Sequence, residues 1–172
     1  MPARASLEAC GQERAQDAGL KASMRAVVQR VRHARVSVDG RVVGEIGAGV
    51  VVLLGIGKGD SNESARYLAE KTAKMRIFDD ANQKMNVSLL ESRGAALVVS
   101  QFTLYADLSR GRRPGFERAA PPAEANQLYE EYTAQLRSLG VPVQTGVFQA
   151  HMVVELENDG PVTILLDSEK LF

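Results

Sequence analysis

Apolar residues recur along this chain in two rhythms, one of period two and one of period three to four. The first marks Ala26 to Val31 and Val36 to Ile46 as strands. Asp39-Gly40 interrupts the second run and predicts a two-residue hairpin turn there. Val50 to Ile56 is apolar without a break, a run suited to a buried strand. Gly55, Gly57 and Gly59 end that run, and Asp60 or Ser61 stands where a helix N-cap belongs. The helix is predicted to reach about Phe78, with Leu68, Thr72 and Met75 along one side. Ala95 to Tyr105 reads as a buried strand with a polar end. After Pro121-Pro122 the spacing changes. Leu128, Tyr132, Leu136 and Leu139 share one helical face, Gly140 stops the helix, and Pro142 follows. Val143, Thr145 and Val147 alternate again. The last two runs, Met152 to Leu156 and Val162 to Leu166, flank Asn158-Asp159-Gly160-Pro161 and read as strand, tight turn, strand. The sum is an α+β fold: a strand-rich single domain with two main helices and no repeat or linker after residue 24.

A length of 172 residues suits one domain with a real core. The 21 basic and 21 acidic residues cancel, so attraction to a polyanion must come from local clustering. One cluster is present: Arg110, Arg112 and Arg113 lie within Ser109 to Phe116. It reads either as a solvated loop or as a phosphate-binding patch. The single cysteine, Cys10, excludes an internal disulfide and fits a reducing, cytoplasmic location. No apolar run approaches the roughly 18 residues of a membrane span. Residues 1–23 lack the apolar centre of a secretory signal and contain Glu8, Glu13 and Asp17, unlike a transit peptide. They read as a disordered or weakly helical extension ahead of a domain at 24–172.

Candidate chemistry is sparse. His33 and His151 have no partner at metal-ligand spacing, so neither metal nor cofactor is expected. Gly55-Ile56-Gly57-Lys58-Gly59-Asp60 misses both phosphate-loop spacings and reads as a turn and helix entry. No nucleophile elbow exists. Thr103 is the obvious nucleophile by type, but a hydroxyl needs an adjacent base and the motif holds none. Ser100 and Gln101 would serve no better. Gly160-Pro161 offers an unusual backbone instead of a reactive side chain. About 5–6% of X–Pro bonds are cis, so the isomer is open at this point.

Ser100-Gln101-Phe102-Thr103 together with Asn158 to Thr163 resembles the D-aminoacyl-tRNA deacylase family, which carries a Ser-Gln-Phe-Thr signature and a Gly-cisPro motif. The similarity includes Met24 to Val31, Lys84 to Ser88, Ala119 to Pro122 and Thr145 to Phe148, in one order, from residue 24 to about 167. It implies a dimeric deacylase-like fold that hydrolyses the ester of D-aminoacyl-tRNA, and of glycyl-tRNA, without a cofactor. It implies Ser100, Gln101, Phe102 and Thr103 as the catalytic segment. Gly160, Pro161, Met152 and Arg30 would form the substrate side, with Arg30 fixing the turn and Met152 near it. Arg110, Arg112 and Arg113 would meet RNA. The partner would be the tRNA 3′ end, and the turn of one subunit would project into the site of the other in a homodimer.

On this reading the ester is already labile, and the terminal 2′-OH helps its own hydrolysis. The site positions water and stabilises an oxyanion through the backbone N–H groups from Gln101 to Thr103. Handedness is screened by a clash, with the carbonyls of Gly160 and Pro161 filling the space an L side chain needs. Two departures stand out: Gln149 sits where members often have Gly, and Asp167 to Phe172 runs past the usual end; Met24 matches the usual start. An editing deacylase for L-alanyl-tRNA and a non-catalytic tRNA-binding module are the other readings.

Overall fold

A computed structural model describes residues 23–171. Cys10 and all of the expected extension except Ser23 lie outside the described residues. Strand β1 (Arg25–Val38) is the axis of the fold. Sequence periodicity divides it into two strands, but it is one long strand that changes partners. Its first half pairs antiparallel with β3 (Gly49–Gly55) and its second half with β2 (Arg41–Ile46). Asp39 and Gly40, both at positive φ, make the β1–β2 turn that their sequence predicts. Parallel strands β6 (Ala95–Ser100) and β7 (Val143–Thr145) extend the sheet beyond β3, and β8 (Val153–Asp167) lines the other edge of β1. The sheet curls until β2 approaches β7. A Cβ on Gly44 would stand 2.7 Å from the Thr145 carbonyl, so only glycine allows that closure.

The curl creates two cores. Val50, Val52 and Leu54 face the helices, whereas Val51, Leu97, Val99, Val31 and Val36 fill the inside of the curl. Burial on both faces is why β3 reads as continuously apolar. Helix α1 (Asn62–Lys74) begins at an N-cap on Ser61, closed by a capping box with Ser64. It ends before the predicted Phe78, because Met75 turns extended and leads the chain to Phe78–Asp79 (β4), paired with Met85–Val87 (β5). A one-turn helix, α2 (Leu89–Ser92), precedes β6. Helix α3 (Pro122–Ser138) buries Leu128, Tyr132 and Leu136 against α1, where the Tyr132 hydroxyl meets Thr72 Oγ1 at 2.8 Å. Two long helices match the expectation, and α2 makes a third.

Two expectations need correction. Ala95 to Tyr105 is not one strand: the ladder stops at Ser100 and Phe102–Tyr105 coils into a 3₁₀ turn. Nor is Asn158 to Thr163 a tight turn between two strands. β8 pairs with β1 on both sides of it and in one direction, as Gln29 faces Thr163 and Val31 faces Asn158. Two steps on β1 therefore oppose five on β8 (31 − 29 against 163 − 158), and the surplus loops out as a wide bulge.

Candidate active site

The bulge is held from below. Asn158 clips its base, accepting the Val162 N–H on Oδ1 at 2.7 Å and reaching the Val162 carbonyl from Nδ2 at 3.3 Å. Arg30, only 7% exposed, lies beneath the bulge. Its Nε donates to the Asp159 carbonyl at 2.9 Å and its Nη1 to the Ile77 carbonyl at 2.7 Å. Asp79 and Asp159 supply carboxylates at 3.5 and 3.7 Å. The early end of α1 is what brings the Ile77 carbonyl to Arg30. Gly160 has φ 141°, and the Gly160–Pro161 peptide is cis. A Cβ at Gly160 would stand 2.9 Å from Val162 N, so the position excludes side chains. The outcome is a main-chain corner, exposed at Gly160 and Pro161, on a buried cationic support.

The second segment closes the far end of β6. The Gln101 N–H donates to the Leu54 carbonyl at 2.8 Å, extending the β3–β6 pairing by one residue. The chain then turns into Phe102–Tyr105. The Thr103 hydroxyl accepts a hydrogen bond from Gln101 Nε2, and among the described residues no carboxylate, imidazole or amine hydrogen-bonds to it. The backbone N–H groups of Phe102 and Thr103 have no hydrogen-bond partner among the described residues. They are the free donors that open a helical turn. Phe102 is 59% exposed, with Phe116 edge-on to it at 5.0 Å.

Sequence reading missed the support beneath this segment. Tyr105 is buried, and its hydroxyl donates to the carbonyls of Ser23 and, at 3.2 Å, Gly55. Burial pushes its phenol pKa up, with the nearby Asp60 charge a lesser cause. Arg25 lies 5.0 Å over the Tyr105 ring and donates to the Leu104 carbonyl at 2.9 Å. The Gly55–Gly59 stretch is the turn and helix entry its spacing suggests, and it also makes room. A Cβ on Gly57 would meet the Tyr105 ring at 3.0 Å, and one on Gly55 would meet Leu104 and Tyr105 at 3.1 Å. Asp60 accepts the Gly57 N–H at 2.7 Å, and burial raises its pKa to about 6. Glycines facing one tyrosine across the sheet leave no local signal in the sequence.

The arginine loop is pinned where it leaves this segment. Asp107 and Gly115 exchange two backbone hydrogen bonds of 2.9 Å, and the Asp107 carboxylate accepts the Ser109 N–H at 2.8 Å. That bond is the main reason its pKa is lowered. Arg110, Arg112 and Arg113 are all exposed on the loop so formed, which leads into Phe116, the ring that meets Phe102. Among the described residues no group of three or more His, Cys, Asp or Glu is arranged to hold a metal ion, and no helix is long and apolar enough to cross a membrane.

One chain does not bring the two signature segments together. The corner is level with Arg30, and the Ser100 end of β6 is level with Ala26 through Leu54. Four residues along the strands and three strand spacings separate them, roughly 20 Å measured over the sheet. Met152 is also remote from the corner. It precedes β8, eight positions from Gly160, and its sulfur packs over Gly146.

Comparison with known proteins gives a consistent result. The family described as D-Tyr-tRNA(Tyr) deacylase matches residues 27–167. A D-aminoacyl-tRNA deacylase of Symbiobacterium thermophilum is 61% identical over 149 residues, which are 87% of this chain and 99% of that protein. One from Fervidobacterium nodosum is 58% identical over 149 residues, 87% of this chain and all of that protein. Among solved structures, the c-Myc DNA Unwinding Element Binding Protein superposes with a TM-score of 0.78 at 39% identity, covering 83% of this chain and 97% of its own. A probable eukaryotic D-amino acid tRNA deacylase superposes with a TM-score of 0.74 at 18% identity, covering 84% and 99%, a likeness of fold.

Proposed function

We propose that this chain, which belongs to the D-Tyr-tRNA(Tyr) deacylase family, hydrolyses the ester joining a D-amino acid to the 3′ end of tRNA and releases both. The observation that carries this reading is the pair of unpartnered N–H groups at Phe102 and Thr103, beside a threonine with no base. Such a site does not make a covalent nucleophile. It supports attack by water on a bond that is already reactive. Water adds to the ester carbonyl, and the developing oxyanion accepts from the two N–H groups. The intermediate then collapses by expelling the ribose oxygen, which takes up the proton given up by the attacking water, relayed through the neighbouring hydroxyl. Ser100 and Gln101 position the turn, and Gln101 holds Thr103.

A second subunit completes the site. An aminoacyl group spans a few ångströms, whereas the corner and the Phe102 turn of one chain are roughly 20 Å apart along the sheet. Among the described residues β8 pairs only with β1, so its other edge is open there, and its Val153 and Leu165 are 56% and 53% exposed. An open edge of this length is a surface for a partner. In the proposed homodimer the Gly160 and Pro161 carbonyls of one subunit face the amino acid bound at the other. They fill the space that an L side chain requires, and a D side chain points away. Glycine, with no side chain to collide, is accepted. The Phe102 ring, braced by Phe116, stacks on an unpaired base at the tRNA end. Arg110, Arg112 and Arg113 take its phosphates. Met152 lines the amino acid pocket only across the subunit boundary. The reaction belongs in the cytoplasm, where charged tRNA is used.

Incubation with D-tyrosyl-tRNA tests the proposal. Release of free D-tyrosine well above the spontaneous rate is expected, with L-alanyl-tRNA left intact. No release, or release of L-alanine instead, would overturn it. Sedimentation analysis should give twice the mass of the chain analysed; an active species of single mass would remove the shared site.

A further inference from the structure

Behind the Phe102–Tyr105 turn, buried charges meet without balancing. Asp60, at the entry to α1, is 8% exposed, and Asp167, at the end of β8, is 4% exposed. Asp60 Oδ2 accepts from Gly57, but Asp60 Oδ1 and Asp167 Oδ2 have no hydrogen-bond partner. The cation at hand is Arg25. Its Nε lies 3.7 Å from Asp167 Oδ2 without a hydrogen bond, and its Nη1 is committed to the Leu104 carbonyl. Each of the two buried carboxylates therefore keeps one oxygen without a hydrogen-bonded cation. Buried charge is costly unless it is paired and hydrogen-bonded.

The main-chain nitrogen of Met24 occupies this niche. Met24 is fully buried. Its N–H donates to Ser168 Oγ at 3.0 Å, and its carbonyl accepts the Ser168 N–H at 3.0 Å. The same N–H lies against Asp60 and favours its charged form. Facing the niche are Arg25 from β1, Asp60, Tyr105, Arg118, Glu124 from α3, and Asp167.

We propose that this niche is an ammonium site, filled by the free α-amino group of a working chain that begins at Met24. An ammonium carries three N–H donors. One serves Ser168 Oγ, and the other two serve the unpartnered oxygens of Asp60 and Asp167. With the ammonium, the three carboxylates facing the niche, Asp60, Asp167 and Glu124, meet three cations, Arg25, Arg118 and the amine. The two bacterial relatives match over 149 residues, 99% and 100% of their lengths, and residues 24–172 number 149 (172 − 23). Chains of that length thus stand as whole proteins. Ser23 is dispensable: its buried hydroxyl has no partner, and without it the Tyr105 hydroxyl still has the Gly55 carbonyl. Because Tyr105 and Arg25 brace the Phe102 turn, the amine consolidates the back of the site. The inference does not depend on the hydrolytic reading, so its test uses stability and mass.

The first measurement is the intact mass of the protein made from its own gene with its own upstream sequence. A mass corresponding to 24–172 is expected; a protein retaining residues 1–23 overturns the proposal. The second compares thermal midpoints of three forms against pH: residues 24–172 with a free amine, the same chain Nα-acetylated, and the full chain. An α-amino group titrates near 7.7–8.0 when unfolded. Pairing raises that value in the folded state, so its stabilisation is complete below about pH 7.7 and is lost as pH rises through the folded value. At pH 7 the free-amine form should melt about 3 °C or more above the other two, a gap that closes at high pH. Asp167→Asn should narrow the gap. Equal midpoints at pH 7 overturn the proposal.

Discussion

The Arg30 Nε donates to the main-chain carbonyl of Asp159 at 2.9 Å, tying the exposed Gly160–Pro161 corner to a buried guanidinium. The contact sets the angle at which the corner leaves the sheet. Arg30→Ala would strand the Asp159 and Ile77 carbonyls and remove the corner's floor. The expected loss is about 1–3 kcal/mol of stability, read by urea unfolding. The ratio of D- to L-tyrosyl-tRNA hydrolysis should fall at least tenfold. A stable protein with unchanged selectivity would show that Arg30 supports the sheet and not the discrimination.

Thr103 is expected to matter modestly. Its hydroxyl is an acceptor for Gln101 and has no base beside it. Thr103→Ala should lower the rate of D-tyrosyl-tRNA hydrolysis by no more than about tenfold, or roughly 1.4 kcal/mol. Abolished turnover with tRNA binding intact would assign it a covalent step.

Much of the frame is legible in the sequence, because it rests on local rules. The Asp39-Gly40 turn, the unbroken apolar run of β3, the cap at Ser61 and the three-and-four spacing of α3 each carry their own signal. Periodicity gives runs but not partners. It therefore reads the flanks of Asn158–Thr163 as two strands around a turn, when both pair with β1 in one direction. The Phe102–Tyr105 turn looks like the tail of a strand, since a 3₁₀ turn of four residues is too short to show a period. Arg25, Asp60 and Tyr105 support the site through contacts between residues far apart in the chain, which no local pattern encodes. Gln149 is a contrast. Its φ of 64° explains why a glycine is expected there and what this chain bears instead.

That strain yields a prediction. Gln149→Gly removes the Cβ penalty of a left-handed position and should stabilise the protein by about 0.5–1 kcal/mol, with unchanged activity. Chemical denaturation at pH 7 reads it. A destabilised variant would mean that the Gln149 side chain contributes more than its backbone costs.

Gly57→Ala should act on the site from behind. The new methyl would meet Tyr105 at 3.0 Å and push the Phe102 turn outward. A loss of about 1–3 kcal/mol is expected, with a lower rate on D-tyrosyl-tRNA. Gly47→Ala, with nothing within 4 Å of its Cβ, is the control. Equal behaviour of the two variants would dismiss the packing argument.

Asp60 fixes the sign of a pH effect in the full chain, where the Met24 nitrogen is an amide. Burial raises its folded pKa to about 6, against about 3.9 unfolded. The folded state therefore holds the proton more tightly between these values. Stability contributed by this group is greatest below pH 4 and falls as pH rises through 6, by about 3 kcal/mol at most. Urea titrations from pH 4 to 7 should show that decline, and Asp60→Asn should flatten it. A slope unchanged in the variant would place its origin elsewhere.

Parallel incubation of the enzyme with D-tyrosyl-tRNA and L-tyrosyl-tRNA, made from the same tRNA and followed as released tyrosine, probes the selection by handedness without intermediaries. If the Gly160–Pro161 corner excludes by bulk, the D ester disappears rapidly and the L ester decays at its spontaneous rate. Comparable enzyme-dependent loss of both would mean that the corner does not screen the substrate.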